Sequence, residues 1–353
     1  MMPEEWPLAA DAADQIAPAR RAGRDRLSTV RVDFFLDAGE RLSEQERALM
    51  TAMLHCLIGD IADELRASLP NLVSPANDEG NLALVDRLSG AGLLDRAGLV
   101  RLLLRRADEE RIATGAKARA GRREARIIQG LVSHRDGAIA AASMALIIAR
   151  GRRRDRFGQC LLHFDDLPRE DVRALVCALA AALGLELSGG KTSPAGSDPL
   201  LSAAIVQVLA RHDMHSSIEN LTASLVRLLD EENELSDELV VAAAIEGEMN
   251  FLAQSLARRC GIAGEAALDE LLSGSAKRIM SLLRMGRVPR ETAAALLAAI
   301  GDLLGINDPG RALGEFDSLT EEDVAASLNW LSADPIYQAA VAELRTGSGK
   351  RTV

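Results

Sequence analysis

Between Ser43 and Ser68 the chain reads SEQERALMTAMLHCLIGDIADELRAS. Leu49, Met50, Met53, Leu54, Leu57, Ile58, Ile61 and Leu65 recur three and four residues apart, which lays one apolar stripe along a helix. Asp60, Asp63, Glu64 and Arg66 supply its polar side. Ser43, with Glu46 three residues later, reads as a capping box that starts the helix.

The same spacing predicts helices at about 81–88, 96–112, 138–150, 168–183, 200–209, 217–229, 237–246, 251–260, 265–272, 276–285, 289–304 and 321–331. No convincing period-two alternation interrupts them, which leaves little from which to build a sheet. Aromatic residues are 3% of the chain and hydrophobic residues 48%, so the core is built mainly of Leu, Ala, Ile, Val and Met. The expected fold class is all-α, an irregular helical-pair array or superhelical bundle in two lobes.

The segment 188–199, Ser-Gly-Gly-Lys-Thr-Ser-Pro-Ala-Gly-Ser-Asp-Pro, has no helical stripe and reads as a linker. It would separate an N-terminal lobe, 30–187, from a C-terminal lobe, 200–340, with flexible tails at 1–29 and 341–353. Helix starts share a pattern: Leu42-Ser43-Glu44, Leu167-Pro168-Arg169-Glu170, Leu235-Ser236-Asp237-Glu238, Val288-Pro289-Arg290-Glu291 and Leu319-Thr320-Glu321-Glu322. An apolar residue pins the incoming chain, and an acid complements the positive end of the helix dipole. Their unequal intervals lack the fixed period of a regular solenoid.

These residues carry a resemblance. The chain resembles a proteobacterial family of helical proteins, domain of unknown function 2336, in two stretches. The first is Leu42-Ser43-Glu44-Gln45-Glu46-Arg47-Ala48-Leu49-Met50, leading into Leu57-Ile58-Gly59-Asp60-Ile61. The second begins at Phe251-Leu252-Ala253-Gln254-Ser255-Leu256-Ala257 and ends at Leu282-Leu283-Arg284-Met285-Gly286 and Val288-Pro289-Arg290. They frame roughly residues 30–305. The resemblance implies irregular helical pairs similar to HEAT repeats and no assigned reaction.

Composition narrows the function further. The net charge of −11 sits mostly in the second half, where residues 199–345 hold 23 acidic and 11 basic side chains. An acidic surface opposes phosphate contacts, so nucleic acid is not the expected partner. No apolar run approaches the ~20 residues that span a bilayer, so no membrane insertion is expected and the chain reads as cytoplasmic. Cys56, Cys160, Cys177 and Cys260 are scattered and read as reduced thiols.

No catalytic, metal or cofactor-binding set emerges. His55, beside the apolar stripe, is a candidate phosphoacceptor, because a neutral imidazole is a competent nucleophile near neutral pH. His212 and His215 are three apart but lie in a turn-like stretch, and His134 and His163 read as loop residues. Gly189-Gly190-Lys191-Thr192 lacks the earlier glycine of a phosphate loop, since Leu185 stands in its place. The basic region from Arg101 to Arg156 stands out more. Arg105, Arg106, Arg122, Arg123, Arg152, Arg153 and Arg154 are candidate partner-binding residues, because forked guanidiniums engage acidic surfaces. Pairing within the chain is the competing use.

The sequence therefore points to a non-enzymatic helical protein-interaction module, such as a signalling or regulatory adaptor. The alternatives are histidine phosphotransfer through His55 and nucleic-acid binding through Arg101–Arg156. Homodimerisation through the stripe of the Ser43 helix is a further expectation.

Overall fold

The structure is a computed structural model that describes residues 42–69, 78–120, 127–187, 199–334, 336–338, 340–341 and 344. Residues Met1–Gln45 and Glu46–Val353 form separate compact units. Among the described residues the chain forms fifteen α-helices and two 3-10 turns, Phe164–Asp166 and Met214–Ser216. The helices are α1 (Glu44–Ala67), α2 (Asp78–Gly90), α3 (Ala97–Ala120), α4 (Ile127–Leu131), α5 (Gly137–Arg152), α6 (Arg169–Leu187), α7 (Pro199–Ala210) and α8 (Ile218–Glu231). They continue as α9 (Asp237–Glu246), α10 (Met249–Cys260), α11 (Gly264–Leu271), α12 (Ala276–Met285), α13 (Arg290–Ile300), α14 (Pro309–Ser318) and α15 (Glu321–Leu331). A lone antiparallel bridge, Arg154 to Cys160, is the only extended pairing in this set. The fold is all-α, an irregular array of helical pairs.

Three cores hold the array. In the first, the α1 stripe (Met53, Leu57, Ile58, Ile61, Leu65) packs with Leu84 of α2, Leu99 and Leu103 of α3, Leu175 and Leu179 of α6, and Val208 of α7. Of the stripe from which homodimerisation is expected, Met53, Leu57, Ile58, Ile61 and Leu65 are buried within the chain itself, while Leu49, Met50 and Leu54 are only partly covered. The second core joins Ile112 of α3 to the apolar faces of α9 through α14. The third sets Ile128, Ile139 and Leu146 of α4 and α5 against Leu225, Val226 and Leu229 of α8, and Phe251 of α10 completes it. Each core therefore draws helices from both sides of residues 188–198. Those residues lie outside the described set, as do both expected tails apart from a few positions of the second.

Local chemistry explains most boundaries. Ser217, Ser236, Ser275, Asp308 and Thr320 cap the helices that follow them with side-chain oxygens. Thr320 caps its helix as the Leu319-Thr320-Glu321-Glu322 pattern predicts, and it forms a reciprocal box with Asp323. Three elements depart from expectation. α3 runs to Ala120 rather than 112, because Ala116 is buried and Arg119 donates to the Ala299 carbonyl at 3.1 Å and to Asp302. Short α4 is fixed at its start by the Ile127 amide donating to Glu246 Oε2 at 3.0 Å. α14 was missed, although Asp308 caps it, Pro309 occupies its first turn, and Ala312 and Phe316 bury its inner face.

The link between α9 and α10 matters most for the site. α9 ends at Gly247, whose φ of 72° lies in the left-handed region. A Cβ there would lie 2.9 Å from both Ala113 Cα and Ala116 Cβ of α3. Glycine lets this turn sit directly against α3, and α10 begins two residues later.

Candidate functional site

Asp166 lies at the centre of a buried ionic cluster. Its side chain has no exposed surface. The 3-10 turn positions it: the Asp165 amide donates to His163 Nδ1 at 3.3 Å, and the His163 amide donates to Asp166 Oδ2 at 3.2 Å. Arg153, just past α5, donates Nε to Asp166 Oδ2 at 2.9 Å and Nη2 to Oδ1 at 2.7 Å. Its guanidinium also serves the Ala149 and Ser216 carbonyls at 3.1 and 3.0 Å. Arg106 of α3 donates to Glu109 Oε2 at 2.8 Å, lies 2.7 Å from Glu219 Oε1 of α8, and stands 3.9 Å from Asp166 Oδ1.

These charges settle into fixed states. Burial pushes the Asp166 carboxyl up, but the Arg106 charge and the Arg153 fork outweigh it and hold the group below its ordinary range. Glu219 goes the other way. Burial raises it, Asp166 and Glu109 add to the rise, and Arg106 only partly opposes them. Burial opposes charge on Arg106, yet its three acidic neighbours keep it cationic.

Beside the cluster, between α3, the end of α5 and the start of α10, lies a cavity of about 160 Å³. Its guanidiniums are already engaged. Arg150 pairs with Glu248 through contacts of 2.9 and 2.6 Å, and Arg154 forks onto Glu110 at 3.0 and 2.7 Å. Asn250, in the first turn of α10, is only 5% exposed, and neither its Oδ1 nor its Nδ2 has a hydrogen-bond partner among the described residues. Arg106 Nε and Glu109 Oε1 share that condition. Cys160 also lines the cavity, but burial pushes its thiol up to about 11, which keeps it protonated and a poor nucleophile. The arrangement is built to hold hydrogen bonds, with no activated nucleophile in it.

A second, open cleft of about 370 Å³ lies between α12 and α15. Met285, Leu319, Leu331 and Trp330 give it an apolar lining, with Lys277 on one wall and Asp323 on the other. Ser281 Oγ donates across it to Ser327 Oγ at 2.9 Å. Trp330 is 38% exposed and meets Tyr337 edge to face, with ring centres 6.3 Å apart.

The residues singled out in the sequence fall in different places. His55 is half-buried on α1, far in sequence from the cavity, and forms no hydrogen bond among the described residues. His212 packs its ring edge-on against Phe164 and places Nε2 3.1 Å from the Leu167 carbonyl oxygen, while His134 Nε2 lies 2.6 Å from Glu234. Among the basic candidates, Arg105, Arg106 and Arg153 are buried. Arg105 forks onto Asp269 at 2.8 and 2.9 Å and reaches Glu265 at 3.0 Å, tying α3 to α11. Arg154 is exposed but paired, Arg152 is exposed and makes no ion pair among the described residues, and Arg122 and Arg123 lie outside them. Sequence reasoning missed Asn250, Asp166 and Glu219. Only Asn250 left a trace, as a polar residue between Met249 and Phe251 at the head of an apolar stretch.

Among the described residues no helix is long and apolar enough to cross a membrane, and no group of three or more His, Cys, Asp or Glu side chains is placed to hold a metal ion. No curated protein and no solved structure matches the chain. A family model described as an uncharacterised protein conserved in bacteria matches residues 113–325. The match includes the Phe251–Arg290 stretch and continues through α14, but it leaves out the stretch beginning at Leu42. Spanning well over half of the sequence, it shows that the chain belongs to the domain of unknown function 2336 family, DUF2336.

Proposed function

We propose that the protein is a non-enzymatic helical interaction module, a cytoplasmic signalling or regulatory adaptor, that takes an amphipathic helix of a partner protein into the cleft between α12 and α15. The observation that carries this reading is the cleft's composition. An exposed tryptophan beside Leu331 and Met285 offers an apolar anchor site, and the rim holds one basic and one acidic wall. Interfaces concentrate binding energy in such aromatic anchors and leave charged groups at the edge to set register. A helix with one apolar stripe and flanking charges of both signs matches that pattern.

The test is site-specific photocrosslinking in the native cell, with the crosslinking group at Ala326 in the cleft and, for comparison, at Arg152 on the basic surface. A discrete protein adduct from Ala326 supports the reading. Trp330→Ala is then expected to weaken binding of that partner at least tenfold with helicity unchanged, since the side chain is not part of a closed core. Adducts from Arg152 alone would move the interface to the basic region.

The second reading rests on the partly exposed imidazole of His55. Phosphotransfer predicts an acid-labile phosphate that survives base, is carried at His55, and is lost in His55→Ala while the fold persists. Incubation with purified histidine kinases and response regulators from the native cell, followed by mass mapping, separates the two readings.

A further inference from the structure

We propose that the cavity between α3, the end of α5 and the start of α10 binds a small, uncharged molecule through a carboxamide or lactam edge, an N–H beside a C=O, which Asn250 pairs as acceptor and donor at once. The charge balance selects this chemistry. Arg106, Arg150, Arg153 and Arg154 face Glu109, Glu248, Asp166 and Glu110, so each guanidinium already has a carboxylate in contact. An anion would have to break one of these pairs, leaving a carboxylate that is buried at Asp166 and half-buried at Glu109, Glu110 and Glu248 without its cation. Among the described residues, the buried side-chain atoms of the lining that make no hydrogen bond are the acceptors Asn250 Oδ1 and Glu109 Oε1 and the donors Asn250 Nδ2, Arg106 Nε and Arg106 Nη2. A ligand carrying both functions side by side is therefore the complement.

The position of Asn250 supports the same conclusion. It is 95% buried, and both ends of its carboxamide lack a partner. Buried polar side chains are nearly always satisfied, and one left open at both ends is the signature of a group that awaits a partner of its own kind. The cavity, at about 160 Å³, exceeds by roughly an order of magnitude the space that one water requires. A single planar ring bearing an amide is of suitable size. Gly247 presses the turn before α10 onto α3, which holds Asn250 and the Arg106–Glu109 pair on walls of one space.

The experiment is ligand-observed NMR and calorimetric titration of the full chain with uracil and with nicotinamide. 1,3-Dimethyluracil, which keeps the ring but has no N–H, and inorganic phosphate serve as comparisons. Saturable binding of uracil or nicotinamide, absence of binding by the dimethyl compound and by phosphate, and at least a tenfold loss in Asn250→Leu are the expected results. Leucine keeps the branched four-heavy-atom skeleton of asparagine at a larger volume and removes the unpartnered amide, and the adjoining cavity leaves room for the difference, so that variant is expected to fold. Should it fail to fold, Asn250→Asp, which keeps the acceptor and lacks the donor, carries the same test. Three results would overturn the proposal: no binding by either amide probe at millimolar concentration, equal binding by the dimethyl compound, or undiminished binding in the variant. Retention of phosphate alone would overturn it as well, in favour of an anion site.

Discussion

Replacing Asp166 by Asn is expected to lower the free energy of unfolding by about 3–5 kcal/mol, the range for a buried ion pair stripped of one partner. The shape of the side chain barely changes, so the loss reports charge. Arg153 has its two forked bonds on this carboxylate and is itself 5% exposed, which leaves a desolvated cation with only carbonyls for company. Arg106 loses its third acidic neighbour but keeps Glu109 and Glu219. Urea denaturation of the wild type and of both single variants, Asp166→Asn and Arg153→Met, with the double variant, closes a cycle. Strong coupling is expected, with the double variant less damaged than the sum of the singles. A single-variant change under about 1 kcal/mol would contradict the buried-pair account.

The pH dependence carries opposite signs at two members of the cluster. The folded-state pKa of Asp166 is below its ordinary 3.8, so its contribution is fully present above that value and disappears as pH falls through the lower folded value. Asp166→Asn should flatten this acid limb. The folded-state pKa of Glu219 is above its ordinary 4.5, so the fold holds that proton more tightly than the unfolded chain does. Its contribution is therefore favourable in acid and declines as pH rises from 4.5 through the raised value. Glu219→Gln removes that decline, and stability curves against pH distinguish the pair.

Phe251→Ala is expected to destabilise by about 3–5 kcal/mol, comparable to the loss of Asp166 but through another cause. Among the described residues Phe251 is the largest wholly buried side chain, and it belongs to the third core although its helix, α10, mainly serves the second. Truncation removes apolar contact and leaves a void between α5, α8 and α10 that rigid helices cannot close. Phe251→Leu should recover a large part of the loss. Equilibrium denaturation of both variants measures this, and near-equal stability of the alanine form would mean that the cores repack freely.

The legibility of the molecule in its sequence follows the range of each interaction. Helices were readable because their signals are local: the α1 stripe repeats every three or four residues, and Thr320 with Asp323 announces α15 within one turn. α14 escaped because Gly310 and Gly314 dilute its apolar pattern, even though Asp308 and Pro309 mark its start. The ionic cluster could not be read. Arg106, Arg153, Asp166 and Glu219 come from separate segments, and an arginine that neutralises a buried acid looks, in sequence, like one on a solvated face. The basic region is conspicuous in the sequence, yet Arg105, Arg106 and Arg153 are oriented toward acids of the chain itself. Asn250 shows the same difficulty at one residue: its burial depends on how α3 crosses the start of α10, and no spacing rule encodes that crossing.

The length of α3 sets a limit on how the family can be handled as a module. The family match begins at residue 113, inside this 24-residue helix rather than in a loop. The first half of α3 supplies Leu99 and Leu103 to one core, and its second half supplies Ile112 to another. A gene fragment or chimaera spliced at residue 113 would keep Asp269 and Glu219 while discarding Arg105 and Arg106, which neutralise them. The recognisable segment and the self-sufficient segment are thus different stretches of chain, and because α1 and α2 share the first core with α3, α6 and α7, the self-sufficient one reaches back to α1.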